Sequence, residues 1–356
     1  MQKIKNIVVA PLNWGLGHAT RCIPIIIALQ RNGFTPILAS DGVALRLLQK
    51  EFPELEHIKL PTYGIKYPKN GKFFIVKLLL RLPKIMRAIA AEKKQINSLI
   101  KNRNIAGIIS DNRFGVRDAG VPSVYVTHQL EVLSGVFTFF SSKVHQSIIK
   151  KFDECWVPDV ANKINFSGKL GHLKITNFNV KYIGVLSRFL KQETVIKYDY
   201  LVLLSGPEPQ RTFLEEKLLK EYENTTKKVV FVLGRVEGEQ TCIQKGNSTI
   251  YNFMLSSELS KTIQESEVII ARSGYTTIMD LAKLHKKAFF IPTPGQFEQL
   301  YLAKRLDALN WVPFATQKSF NLNNLEKIAD YKGMSCDTEV EFHHFFKIFN
   351  RGAIAK

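Results

Sequence analysis

The chain is short of three things. It has four cysteines in 356 residues, Cys22, Cys155, Cys242 and Cys336, scattered and without a Cys-x-x-Cys pair. That excludes a disulfide framework and a thiolate zinc site, and suits a reducing compartment. It has no apolar run near the roughly 20 residues that a spanning helix needs. The opening MQKIKNIVVAPLNWG reads as a short buried strand, not a signal peptide, so a cytoplasmic protein is expected. Acidic residues are also scarce. Thirty-one Asp and Glu stand against 50 Lys and Arg, a formal charge of +19 that favours an anionic partner. Internal repeats and low-complexity tracts are absent, and 45% hydrophobic residues exclude a disordered chain.

What is present is alternation. Strand-like runs at 4–10, 36–39, 105–110, 123–127 and 154–157 are separated by helical patterns near 18–32, 42–51, 73–101 and 134–151. A second series has strands at 200–204, 228–233, 248–253, 268–271 and 288–291, with helices near 210–223, 256–265, 275–284 and 297–308. Such alternation predicts parallel sheets with crossover helices. A polar, turn-rich stretch near residue 190 divides the series. The expected fold is therefore α/β: two doubly wound Rossmann-like domains facing a cleft, over 1–190 and 191–335. A further helix is expected in the tail, 336–356, over 338–350. Its adjacent His343 and His344 are expected to point apart, giving no metal site. In open parallel sheets, ligands lie beyond the carboxyl ends of strands.

Two stretches sit there. The first strand runs into Asn13-Trp14-Gly15-Leu16-Gly17-His18-Ala19-Thr20-Arg21. Gly15 and Gly17 permit close backbone approach, and a helix start follows. His18 and Arg21, three apart, share one helix face. The third glycine of a dinucleotide fingerprint and a Walker lysine are both missing. A near-neutral histidine at a strand exit suits proton transfer or a hydrogen bond to a sugar or phosphate.

The second stretch is ARSGYTTIMDLAKLHKKAFFIPTPGQFEQ, residues 271–299. Ser273 is expected to cap a helix beginning near Gly274, whose N–H groups favour a diphosphate. Asp280 falls two turns on, on the same face, where a carboxylate suits a ribose diol. Glu298 and Gln299 open another helix after Pro294-Gly295-Gln296 and suit sugar hydroxyls. A third loop, Ser205-Gly206-Pro207-Glu208, follows a strand, although its prolines remove donors.

These residues resemble the GT-B glycosyltransferases of family 28, which include the lipid II-forming N-acetylglucosaminyltransferase and the galactolipid synthases. The likeness is strongest at Gly15-Leu16-Gly17-His18 and from Arg272-Ser273-Gly274 through Asp280 to Glu298-Gln299. It implies a donor site of Gly15, Gly17, Ser205, Gly206, Arg272, Ser273, Gly274, Tyr275, Thr276, Gly295 and Gln296. Within that site Asp280 would hold the ribose, the segment ending at Phe253 the uracil, and Glu298-Gln299 the donor sugar. It implies acceptor-side loops at Asp111-Asn112-Arg113 and His128-Gln129, with His18 or Asp111 as catalytic base. Three departures stand out: the phosphate loop is reduced to Ser205-Gly206-Pro207-Glu208-Pro209, Asn13-Trp14 replaces further glycines, and Asp280 replaces a commoner glutamate.

The resemblance implies an inverting, metal-independent transfer from a UDP-sugar, as substrate rather than cofactor, to a lipid-linked or glycan acceptor. Arg272 or Arg211 would steady the leaving diphosphate. The basic, apolar stretch 72–87 suits an anionic membrane surface, hence a peripheral place on the inner face of the cytoplasmic membrane. Two rival readings follow from the same features. A UDP-sugar 2-epimerase shares the architecture. A nucleic-acid binder fits the charge, but the cations are dispersed and nucleic-acid motifs are absent, so nucleic acid is not an expected partner.

Overall fold

The apolar runs form two sheets. The structure, a computed structural model, describes residues 5–64, 74–236 and 238–350, with 74–80 as backbone alone. The basic, apolar stretch 72–87 singled out from sequence falls partly outside the described residues. The first sheet contains β1 (Asn6–Pro11), β2 (Thr35–Ser40), β3 (Glu56–Lys59), β4 (Ile105–Asp111), β5 (Ser123–Val126), β6 (Glu154–Val157) and β7 (Val180–Tyr182). Its order is β3-β2-β1-β4-β5-β6-β7, parallel throughout. The second contains β8 (Tyr198–Leu203), β9 (Val229–Val232), β10 (Cys242–Lys245), β11 (Ser248–Tyr251), β12 (Ser266–Ala271) and β13 (Lys287–Phe290). Its order is β10-β11-β9-β8-β12-β13, with only β10 antiparallel to its neighbour.

Crossovers are made by α1 (Gly17–Arg31), α2 (Gly42–Glu51), α3 (Phe74–Asn102) and α4 (Thr138–Ile149) in the first half. The second half has α5 (Gln210–Glu221), α6 (Ser256–Gln264), α7 (Tyr275–Lys283) and α8 (Phe297–Ala308). Central strands are buried on both faces, as in Ile7–Ala10 and Val229–Val232. That is why they read as continuous apolar runs. The strands missed from sequence are all at edges. β3 is half-exposed, β7 is three residues long, and β10 is wholly exposed, so none carries an apolar signal.

The expected tail helix over 338–350 is shorter, a five-residue α9 (Phe342–Phe346) passing into a 3-10 turn, Lys347–Asn350. Its rings bury against the first sheet. Phe346 and Phe349 lie 5.9 and 6.2 Å from Phe34, and both pack on Trp156. Gly107 in β4 leaves the space that Phe349 fills; a Cβ there would stand 2.1 Å from that ring. His343 and His344 do not point apart. Their rings are 3.8 Å apart, both exposed on a very short helix, with His344 Nε2 held 2.9 Å from Glu341.

Each sheet reverses its strand order once, between β1 and β4 and between β8 and β12. The crevice at such a point is where open α/β sheets accept ligands. The loops after β1, β4, β8 and β12 are Leu12–Leu16, Asn112, Ser205-Gly206 and Arg272–Gly274.

Candidate active site

On the first domain four side chains interlock at the switch point. Arg21, from the second turn of α1, is buried and makes a two-pronged ion pair with Asp111 at the end of β4. A planar guanidinium matches a carboxylate in that geometry. His18, one turn earlier, places Nδ1 2.7 Å from Asp111 Oδ1 and 2.9 Å from Arg21 Nη2. Arg21 Nη1 donates to His128 Nδ1 at 2.8 Å. A guanidinium has no acceptor, so His128 Nδ1 is unprotonated and Nε2 carries the hydrogen. That N–H donates to Glu298 Oε1 of the second domain at 2.7 Å. Gln129 donates to the other carboxylate oxygen.

The charges follow this wiring. Burial works to raise Asp111, but Arg21 and His18 outweigh it and hold the carboxyl well below its usual range. Burial lowers His128 despite the opposing charge of Glu298, so the neutral imidazole persists. Glu298 is raised by burial but brought below its usual value by His128, His18 and Arg21. Asp111 is fully buried, while His18 keeps 15% of its side chain exposed. Asp111 is thus excluded from the expected role of base at the acceptor, because no face of it reaches the cleft.

The neighbouring residues divide. Asn112, held at φ +58, turns back towards His18 and accepts from Tyr125 Oη at 2.9 Å. Arg113, expected on the acceptor side, is instead buried beneath the loop. It pairs with Asp41 and with Glu92 Oε1 at 2.8 Å, because two buried carboxylates there need its charge. Burial raises Glu92 to about 7 against the pull of Arg113.

On the second domain the expected cap is absent. The N-cap of α7 is Gly274, and Ser273 Oγ donates instead to the Gln299 carbonyl at 2.8 Å. Ser273 precedes the cap by one residue, so it ties the start of α8 to the start of α7. Gln299 is likewise structural: its buried side chain accepts from Thr293 N at 2.8 Å, so it does not face a sugar. Gly295 (φ +81) and Gln296, the N-cap residue of α8, stay accessible. Arg272 is buried, donates to the carbonyls of Ile291, Pro292 and Gln210, and burial lowers it to about 9. Arg211 is held by Glu208 and Glu215. Neither guanidinium is turned to the cleft as expected: Arg272 is engaged by carbonyls and by Gln317 Oε1, with its Nε left unpartnered among the described residues, and Arg211 by two acids. Gly206 takes φ +103, which only glycine adopts cheaply, opposite Thr293. Phe253 is buried beneath Lys50, and its own N–H and carbonyl are engaged by Asn252 and Gln240.

The halves touch directly. Thr276 Oγ1 donates to the Gly17 carbonyl at 3.0 Å. Tyr275 stacks on His128 with centroids 4.3 Å apart and donates to the Pro158 carbonyl at 2.9 Å. Gly15 supplies the φ +78 turn that brings α1 to this contact. Asp280 does lie on the Ser273 face of the helix, but linker residues meet it. Ser187 Oγ donates to it at 2.8 Å, and Arg188 Nε is 3.9 Å away. Arg188 also reaches Ser256 at 3.1 Å, whose hydroxyl donates to Glu51 of the first domain at 2.6 Å. Burial raises Asp280 to about 6, partly offset by Arg188.

Sequence reading paired Arg21 with His18 on one helix face without giving it a site role, placed His128 only on the acceptor side, and did not name the linker pair Ser187-Arg188. The spacing of His18 and Arg21 on one helix face was the available signal for the first.

Residues 209–330 match the model of the glycosyltransferase family 28 C-terminal domain. A Methanopyrus kandleri protein described as an uncharacterized glycosyltransferase is 22% identical over 296 residues, 78% of this chain and 83% of that one. The solved structure of MurG from Acinetobacter baumannii is similar at TM-score 0.54 and 13% identity, covering 98% of this chain and 100% of that chain. The spinosyn rhamnosyltransferase SpnG is similar at TM-score 0.61 and 12% identity, covering 97% and 95%. The two-domain GT-B fold expected from sequence is thus the fold observed.

Proposed function

From the premise that the chain is a family 28-like glycosyltransferase of the GT-B fold, we propose that it moves a hexose or N-acetylhexosamine from a UDP-sugar to a lipid-linked or glycan acceptor. The transfer proceeds with inversion and without a metal. The observation that carries this is that the network of His18, Asp111, Arg21 and His128 lies where both sheets reverse their order and joins the starts of α7 and α8, through Gly17 to Thr276 and through His128 to Glu298. Among the relatives described above, none favours an epimerase.

His18 is the base in this mechanism. His18 Nδ1 lies between Arg21 Nη2 and the nearer Asp111 carboxylate at 2.7 Å; with the Nδ1 proton on the carboxylate side, Nε2 holds the lone pair that removes the acceptor hydroxyl's hydrogen. Asp111 stabilises the imidazolium that forms, and Arg21 keeps Asp111 ionised. The acceptor oxygen attacks the anomeric carbon as its bond to the diphosphate breaks. The N–H groups opening α7, beside small Gly274, and the Ser205-Gly206 loop receive the developing phosphate charge. Asp280 takes the ribose hydroxyls in exchange for Ser187. Glu298 accepts from donor-sugar hydroxyls, with His128 and Gln129 fixing its orientation.

Calorimetric titration with UDP tests the premise, with GDP, ADP and dTDP as controls. Selective micromolar binding of UDP is the expected result, and screening of UDP-sugars against acceptors follows it. Absence of binding to every nucleotide would refute the donor assignment.

A further inference from the structure

The segment between β7 and β8 joins the domains and also enters the site. Leu186 and Phe189 are buried, and they hold between them a polar pair, Ser187 and Arg188. Apolar anchors on both sides fix where the pair stands, since sliding the chain would bring one of them into water. Ser187 Oγ accepts from Phe189 N at 3.1 Å, which leaves its hydrogen directed to Asp280 Oδ1 at 2.8 Å. Asp280 is buried, so this contact leaves little of the carboxylate open. An acid placed to receive ribose hydroxyls thus already carries a hydroxyl of the chain itself, a donor of the same chemistry.

Arg188 is divided between the domains. Its Nε lies 3.9 Å from Asp280 Oδ2, and its Nη1 lies 3.8 Å from Glu51 Oε1 at the end of α2. Neither distance is that of a hydrogen bond, and Nε is buried without a partner among the described residues. Nη1 donates instead to Ser256 Oγ at 3.1 Å, at the start of α6. Ser256 in turn gives Glu51 Oε1 its hydroxyl hydrogen at 2.6 Å and its N–H at 2.9 Å. The same end of α2 holds the second domain through Arg46 to the Val236 carbonyl at 3.4 Å and Lys50 to the Gly238 carbonyl at 2.9 Å. A continuous set of polar contacts therefore runs from Asp280 through Ser187 and Arg188 to the seam between the domains. A buried N–H without an acceptor is unfavourable, and the carboxylate that would satisfy this one stands a short movement away.

We propose that Ser187 is an internal stand-in for a ribose hydroxyl and that the linker is an autoinhibitory strap on the donor site. An entering nucleotide takes Asp280 from Ser187. Arg188 Nε then closes on the carboxylate, and Nη1 lets go of Ser256, easing α6 away from Glu51. Nucleotide entry and the α2–α6 contact oppose each other, so the apparent affinity scales with the fraction of molecules in which the strap is open. This rests on the transferase reading and deepens it, as regulation of the same site.

Calorimetric titration of the full chain with UDP tests the strap. Ser187→Ala is expected to bind UDP about three- to tenfold more tightly than the parent, the worth of one net hydrogen bond. Glu51→Gln should also tighten binding, by about twofold or more, because Arg188 then answers to Asp280 alone. In an Asp280→Ala background the gain from Ser187→Ala should vanish, the two forms agreeing within about twofold. A linker that only braces the fold would leave UDP affinity unchanged or lower it in both variants, and that result overturns the strap. A gain that persists without Asp280 overturns it as well. Thermal unfolding reports whether each variant is folded, and Glu51→Gln decides the question if Ser187→Ala is not. UDP binding by the parent with no gain in either variant removes the strap alone; absence of nucleotide binding in the parent and in every variant removes the transferase reading instead.

Discussion

In the first domain the candidate site is made of side chains: Arg21, Asp111, His18 and His128 hold one another in a chain of short contacts. In the second domain it is made of helix starts and small residues, with Gly274 as N-cap and the Ser273 hydroxyl spent on the scaffold. The first arrangement fixes a proton's position and suits chemistry at the acceptor. The second presents backbone donors and suits a diphosphate. A buried charged network tolerates little change, because removing one member leaves another unpaired in a dry environment. Backbone donors survive most substitutions, so the second half is expected to be softer to mutation.

The largest effect that would sharpen this contrast is at His18. His18→Ala should lower kcat by roughly a thousandfold while UDP affinity stays within about twofold. Normal turnover in steady-state kinetics would remove His18 from the mechanism. Next comes Asp111→Asn, expected to cost roughly a hundredfold or more in kcat and, through the stranded Arg21 charge, roughly 3–5 kcal/mol in denaturant unfolding. A stable variant with full activity would show that the network is dispensable.

On the donor side, Asp280→Ala should weaken UDP binding by about tenfold, with kcat at saturation less affected. Unchanged affinity by calorimetry refutes the ribose role. The same carboxyl carries a pH signature. Its value of about 6 in the folded protein exceeds the ordinary 3.8, so the folded state holds a proton that the unfolded chain has lost. Its stabilising contribution is therefore full below about pH 4 and gone once the pH passes about 6. The stability difference between Asp280→Asn and the parent should shift in the variant's favour across that window, measured by thermal unfolding at stepped pH. A constant difference would show that Asp280 does not titrate there. The smallest effect is expected at Thr276→Val, which removes one contact between the domains. It should cost about 0.5–1.5 kcal/mol in unfolding, with turnover nearly intact. A large loss would show that this contact gates the site.

Much of the fold was readable because doubly buried strands carry a strong apolar signal; the runs at Glu154–Val157 and Gly42–Glu51 match their elements residue for residue. Edge strands such as β10 were not readable, since pairing on one side needs no apolar face. In the site, loops at strand exits could be found by their small residues. What each side chain does there could not. Arg113 and His128 both follow first-sheet strands and carry similar marks in sequence, yet one is spent on Asp41 and Glu92 while the other reaches Glu298 across the domains.

The sequence by itself determined the alternation of strands and helices, the break near residue 190 and the glycine and serine loops where a ligand fits. Those properties are local, set by burial period and backbone freedom within a few residues. Tertiary structure decided that Asp111 stands behind His18, that Ser273 braces rather than caps, and that Asp280 meets the linker. Each depends on which distant groups compete for one polar atom. That competition is settled only when Arg21, separated by 90 residues from Asp111, arrives beside it.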